Sequence, residues 1–269
     1  MKDTSKKFFP KKYLGQNFLV DPNVREKIVS ACDLKPEDII LEIGPGKGFL
    51  TKAIAPLVKK IIAVEKDPEL AEELEQTFKN ANVTIVEADI LKYPFAQLPR
   101  APFGIKIISN LPYNIATAVI EKVILEQRHF NSFYFAIQRE HARRLTAKPN
   151  SKEYGSFTCF VQYHAGIKKI FDIKNTAFRP IPKVRSSFMR MDFDAAFPYK
   201  TKDEETLFKI IRQAFFYRRK TLPNALGHWI EKKHLVSLLR EIGIDPQLRP
   251  ENLSLADYIK ISDAAKLAV

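Results

Sequence analysis

Short β-branched apolar runs alternating with segments of helical period, a change of pattern after Arg139, and a wholly helical tail beyond about Lys200 predict an α/β fold with a small helical domain behind it. The runs Ile39–Ile43, Lys60–Val64, Val83–Val86, Ile105–Ser109 and Phe133–Ile137 read as buried strands. Phe49–Leu57, Pro68–Phe78 and Ala116–Glu126, lying between them, carry the helical period. Such alternation predicts a parallel sheet with helices on both faces and a ligand at the carboxyl ends of the strands. After Arg139 comes a basic helical stretch, then two strand-like segments, Lys168–Ile173 and Val184–Phe193, separated by Phe178-Arg179-Pro180-Ile181-Pro182. The simple reading is a late antiparallel pair that closes the sheet. Helices are expected over Glu204–Tyr217, Pro223–Lys232 and Leu235–Ile242 and from about Ser254, which divides the chain into a sheet domain, 1–197, with a basic N-terminal arm, and a helical domain, 198–269.

Composition bounds the function. The 269 residues are 45% hydrophobic, enough for a packed core. No apolar run approaches the ~18–20 residues that span a bilayer, and Met1–Pro10 lacks the apolar stretch of a secretion signal. A soluble, cytoplasmic chain is the expectation. Cys32 and Cys159 are too few for a disulfide framework and have no metal-ligand spacing around them, so no metal is expected and the thiols read as packing residues. The formal net charge of +13 is concentrated: Arg139–Arg190 carries 12 Lys/Arg against 3 Asp/Glu, and residues 1–12 carry five Lys against one Asp. Together they hold the whole excess, which suits a polyanionic partner.

The first strand runs into Glu42-Ile43-Gly44-Pro45-Gly46-Lys47-Gly48, a glycine turn that opens a helix. A dinucleotide fingerprint would place glycine at position 49, which is Phe, so a nicotinamide cofactor is disfavoured. S-adenosylmethionine, a nucleoside without a pyrophosphate, fits better. Glu65 ends the second strand 23 residues after Glu42, where a carboxylate can accept bonds from both ribose hydroxyls. Asp89 ends the third strand and can accept from an adenine amine. Taken singly, such carboxylates are more often helix caps; three strand ends in succession favour the nucleoside and a Rossmann-like S-adenosylmethionine-dependent methyltransferase sheet.

The fourth strand ends in Asn110-Leu111-Pro112-Tyr113. An adenine amine is a poor nucleophile because its lone pair is delocalised into the ring, so a site must orient it. The Asn110 side-chain carbonyl and the Leu111 main-chain carbonyl can accept its two N–H bonds, Pro112 fixes φ near about −65°, and Tyr113 offers a face for a flipped-out base. The motif holds no His, Asp or Glu, and no general base is evident.

These residues, with Gly15-Gln16-Asn17-Phe18-Leu19, Phe178 to Ser186, Arg218-Arg219-Lys220-Thr221-Leu222 and Arg249 to Ser254, resemble the small-subunit ribosomal RNA adenine dimethyltransferases over nearly the whole chain. The resemblance implies transfer of two methyl groups to each of two adjacent adenosines near the 3′ end of small-subunit RNA during ribosome assembly. The partners it implies are that RNA and an immature small subunit, met by a monomer. Carried over by position, Asn17 and Leu19 contact the cofactor's methionine end with Gly44 beneath it, Glu65 holds the ribose, and Asp89 holds the adenine. Asn110 stands where cofactor and base meet, and Phe178 forms an aromatic wall opposite Tyr113. Lys183, Arg185, Arg218, Arg219 and Lys220 face RNA, with the rings of Phe215, Phe216 and Tyr217 buried behind the last three. Pro223 departs from the family, which often has a basic residue there. Two rivals stand beside this reading. One is a macrolide-resistance dimethylase of large-subunit RNA, which tends to lack Leu111 and the Asn252-Leu253-Ser254 ending; the other is a non-catalytic assembly factor.

Overall fold

The structure is a computed structural model and describes residues 11, 14–193 and 199–265. The basic arm before Lys11 and the expected boundary near residue 197 lie outside the described residues. By contacts the chain divides into two compact units, residues 1–142 with 168–193, and residues 143–167 with 194–269. The second unit therefore recruits residues 143–167, which the sequence pattern places with the sheet.

The first unit contains, in chain order, β1 (Phe18–Leu19), α1 (Pro22–Ala31), β2 (Ile39–Ile43), α2 (Phe49–Ile54), β3 (Lys60–Glu65), α3 (Pro68–Thr77), β4 (Val83–Glu87), β5 (Ile105–Asn110), α4 (Ala116–Leu125) and β6 (Phe130–Gln138). β6 runs into α5 (Arg139–Leu145), and β7 (Gly166–Ile173), β8 (Phe178–Arg179) and β9 (Ser186–Asp192) complete the unit. Seven strands form one sheet in the order β4-β3-β2-β5-β6-β9-β7. β4, β3, β2, β5 and β6 are parallel to their neighbours, and β9 lies antiparallel to β6, Phe135 facing Met189. The late strands thus join the sheet beside β6 as expected. β2 and β3 can be apolar almost throughout because both faces are covered; Ile40, Leu41, Ile43, Ile61, Ala63 and Val64 are all buried. At the amino end of the sheet, Lys106 Nζ meets Asp38 Oδ2 at 2.7 Å, pairing a buried cation at the end away from the glycine turn.

Periodicity missed β1 and β8, which are only two residues long. They pair antiparallel, Leu19 opposite Phe178 and Phe18 opposite Arg179, and so tie the Gly15–Leu19 segment to the proline-rich loop. α1 was missed as well, although Asp21 caps it through Asn23 and Val24 N–H and Pro22 opens it.

The second unit is built from α6 (Ser156–His164), α7 (Glu204–Phe216), α8 (Leu222–Leu226), α9 (Lys232–Glu241) and α10 (Leu255–Ala264). Its core joins Leu207, Ile211, Leu226, Leu239 and Tyr258 with Tyr154 and Cys159, which explains why residues 143–167 belong to it. The expected helix over Pro223–Lys232 is shorter: α8 starts with Pro223 in its first turn and stops before Gly227. Cys32 and Cys159 are free and buried, as packing residues should be.

Candidate active site

The carboxyl ends of β2, β3 and β5, with the turn after β4 and the Leu14–Leu19 segment, surround one cavity. Asn17, Leu19, Gly44, Glu65, Asp89, Asn110, Leu111, Pro112 and Tyr113 all line it, so the structure brings together nine of the residues selected from motifs. At Gly44 φ is +65°, and a Cβ added there would meet nothing within 4 Å, which leaves the backbone open to a ligand. Gly46 serves packing instead, since a Cβ there would come within 2.9 Å of the Phe18 ring.

Glu65 is held by the main chain. One carboxylate oxygen accepts from Gly46 N at 3.0 Å, and the other accepts from Lys66 N and Asp67 N, both at 2.9 Å. Burial raises its pKa and the three N–H bonds oppose that rise. The glycine turn and the end of β3 are therefore one hydrogen-bonded body. Asp89 accepts from Leu91 N at 3.0 Å and pairs with Lys66 Nζ at 2.8 Å, which lowers its pKa.

Asn110 is oriented by one bond: its Nδ2 donates to the Asn17 carbonyl at 2.8 Å. A carbonyl can only accept, so this contact makes Nδ2 the donor and leaves Oδ1 as the acceptor for an incoming amine. Ser109 Oγ donates to Ile43 O at 2.7 Å and locks the ends of β5 and β2 together. Leu111 N continues the β5–β6 ladder to Ala136 O at 3.2 Å, and Ile115 N closes the turn onto Pro112 O. Tyr113 is pinned at its far end by a 2.7 Å bond between its hydroxyl and Ser186 Oγ, and burial raises its pKa.

Three expected roles come out differently. Phe178 is 1% exposed and packs in the core with Leu19, Tyr134 and Phe188, so in this conformation its ring offers no face opposite Tyr113. The pairing of β1 with β8 puts it there. Arg218 is turned inward: Nε bonds Glu251 Oε2, and a terminal nitrogen donates to Ser151 O at 3.2 Å. It ties parts of the helical unit together, whereas Arg219, Lys220, Lys183 and Arg185 are exposed. Finally, Phe215 packs against the helical core but Phe216 is 78% exposed.

Two features went unassigned in the motifs. Glu42 is 2% exposed on the cavity wall, Oε2 has no hydrogen-bond partner among the described residues, and burial pushes its pKa up to about 7. An acidic residue alone in the apolar run Ile39–Ile43 was the available signal. Lys11 Nζ and Gln16 Nε2 grip the two oxygens of buried Asp67 at 2.6 and 2.8 Å, fastening the segment before β1 to the turn after β3. Sequence marks Asp67 only as the cap of α3, a role it also fills through Glu69 N.

The orphaned Glu42 oxygen and the open surface at Gly44 both fit a ligand rich in N–H and O–H donors, as S-adenosylmethionine is. A parallel sheet whose successive strand ends carry a glycine turn, two acidic side chains and an oriented asparagine defines a methyltransferase of the S-adenosylmethionine-dependent class. A family profile described as Ribosomal RNA adenine dimethylase matches residues 8–267. The chain belongs to that family and is an S-adenosylmethionine-dependent rRNA adenine dimethyltransferase. Ribosomal RNA small subunit methyltransferase A of Clostridium botulinum (strain ATCC 19397 / Type A) is 38% identical over 254 residues, 94% of this chain and 92% of that protein. Its counterpart of the same name in Marinobacter nauticus is 41% identical, over 94% and 90%. The crystal structure of a dimethyladenosine transferase from Plasmodium falciparum superposes with a TM-score of 0.77 at 25% identity, covering 91% of this chain and 95% of that one. The 23S rRNA methyltransferase ErmE, 22% identical with a TM-score of 0.71, covers 92% and 98% and shares the fold.

Proposed function

We propose that this enzyme dimethylates the exocyclic amines of two adjacent adenosines near the 3′ end of small-subunit ribosomal RNA, acting in the cytoplasm as a monomer on an immature small subunit. Relatives with 38–41% identity carry the small-subunit name, and the chain matches them over 94% of its length. Among the described residues no helix is long and apolar enough to cross a membrane. The observation that carries the chemistry is the Asn110 amide, turned by the Asn17 carbonyl so that Oδ1 is an acceptor at the cavity wall.

The bound cofactor supplies an electrophilic sulfonium methyl. Glu65 and Asp89 hold the nucleoside through its hydroxyls and amine, Glu42 receives a donor for its free oxygen, and Asn17, Leu19 and Gly44 form the wall at the methionine end. Asn110 Oδ1 and the Leu111 carbonyl accept the two N–H bonds of the target amine, which draws the nitrogen towards tetrahedral geometry and aims its lone pair. Tyr113 stacks on the base from a ring fixed at its hydroxyl. The cofactor would supply the methyl by breaking its S–C bond and leaving as the neutral thioether, the methylated nitrogen would lose its proton to water, and the residues named here act by positioning. Lys183, Arg185, Arg219 and Lys220 bind phosphates. Single-turnover methylation by Asn110→Ala with RNA and cofactor saturating tests the assignment: a large loss of rate is expected, and a wild-type rate overturns it.

A further inference from the structure

The helical unit exposes aromatic rings beside its cations. Phe216, the last residue of α7, is 78% exposed, and the chain's single tryptophan, Trp229, is 45% exposed in the turn between α8 and α9. Tyr217 joins these two places. Its ring centroid lies 4.9 Å from that of Phe216, edge to face, and 5.8 Å from that of His228, the neighbour of Trp229. Lys220 Nζ sits 4.6 Å over the Tyr217 ring. Burial is the usual fate of a phenylalanine, and its neighbour Phe215 follows it by packing into the core with Tyr154 and Tyr258. Residues 212–234 hold six Lys/Arg against one Glu, and Arg219, Lys220, Lys232 and Lys233 are all exposed.

We infer that Phe216, Tyr217, His228 and Trp229 form a stacking platform for unpaired bases of the RNA substrate, distinct from the Tyr113 site that receives the reacting adenine. The flanking charge selects the occupant. A row of rings bordered by cations matches an RNA strand, in which every base has a π-face and every linkage an anion. An apolar protein partner would not need a cation seated over one of the rings. The platform acts on binding and presents RNA in a fixed register; Arg218, committed to Glu251 and Ser151, stiffens the turn that carries it. This inference rests on the RNA-substrate reading above.

Because Trp229 is the only tryptophan, its emission reports this patch alone. The test titrates the full chain with a synthetic fragment of the 3′ region of small-subunit RNA carrying a fluorescent end label, following Trp229 emission and label anisotropy in parallel. Stacking predicts that Trp229 is quenched along the same curve as the anisotropy. Phe216→Leu should weaken RNA binding about tenfold with the salt dependence unchanged, since lost stacking releases no counterions, while Phe216→Tyr restores affinity. Cofactor affinity, measured on the same variants, stays at the wild-type value and certifies folding. RNA bound with normal affinity by Phe216→Leu and without quenching overturns the platform and leaves the substrate reading intact. Weakened binding to whole subunits but not to free RNA also overturns it and assigns the patch to a ribosomal protein. An unmodified chain that binds no RNA overturns both readings.

Discussion

The two units solve opposite electrostatic problems. At the carboxyl edge of the sheet unit the carboxylates are buried: Glu42, Glu65 and Asp67 are each no more than 6% exposed, and two of them are bound by main-chain N–H groups. The helical unit is apolar inside and sends Arg219, Lys220, Lys232 and Lys233 outward. Buried carboxylates are screened little by salt but respond to protons, whereas exposed cations respond to salt and hardly to pH near neutrality. Cofactor binding should therefore be sensitive to pH and tolerant of salt, and RNA binding the reverse.

The largest effect that can break this division is expected at Asn110. Asn110→Ala should lower the single-turnover rate by about two to three orders of magnitude, the scale of losing one preorganised transition-state contact, with RNA affinity within about twofold. Rapid-quench methylation beside equilibrium binding checks it. Next comes Glu65→Ala, which should weaken S-adenosylmethionine by about 10- to 100-fold, since charge-assisted bonds are worth roughly 1.5–3 kcal/mol each, while leaving the RNA titration unmoved. Calorimetry with normal cofactor affinity would remove Glu65 from the site.

Neutralising Arg219 and Lys220 together should reduce the slope of log K against log salt by about 1.4, from about 0.7 per single-strand contact, without touching cofactor affinity. Arg218→Ala sharpens the contrast from within the same tripeptide. It should leave that slope unchanged and lower the melting temperature of the chain through loss of about 1–2 kcal/mol of ties to Glu251 and Ser151. A loss of about 0.7 in the slope in Arg218→Ala would return this residue to the RNA face.

The smallest effect is a pH dependence. Glu42 has a pKa raised by burial to about 7 in the folded chain, above its ordinary value of 4.5. Folded protein thus holds an extra proton between those values, so stability without cofactor falls as pH rises through that window. Ionised Glu42 is the stronger acceptor and has no O–H to turn towards the ligand, so cofactor affinity should rise by up to about tenfold from pH 6 to 8. Glu42→Gln should flatten both profiles. With cofactor and RNA saturating, the single-turnover rate should stay nearly flat over about pH 6.5–8.5, because Asn110 and Tyr113 supply no base that titrates there. A tenfold rise per pH unit, abolished by Asp89→Asn, would mean that Asp89 faces the target base.

Local sequence determined much of this protein. β2, β3, β4 and β5 lie within a residue of their apolar runs; β2, β3 and β5 are buried on both faces and read as continuous hydrophobic segments, while β4, at the sheet edge, is only partly buried. The cavity residues were legible for a related reason. In a parallel sheet each strand end delivers its next residue to the same edge, so Gly44, Glu65, Asp89 and Asn110 meet whatever the distant packing. Tertiary structure alone decided what depends on residues far apart in the chain. The register of β1 on β8 carried Phe178 into the core. Glu251, 33 residues away, captured Arg218 from an otherwise uniform basic tripeptide. Residues 143–167 joined the helical unit because Tyr154 and Cys159 fill its core, and Asp67 gripped Lys11 from 56 residues away. A local pattern shows which side chains are apolar or charged, but the partner that neutralises a charge or covers a ring is chosen by long-range contacts that leave no period in the sequence.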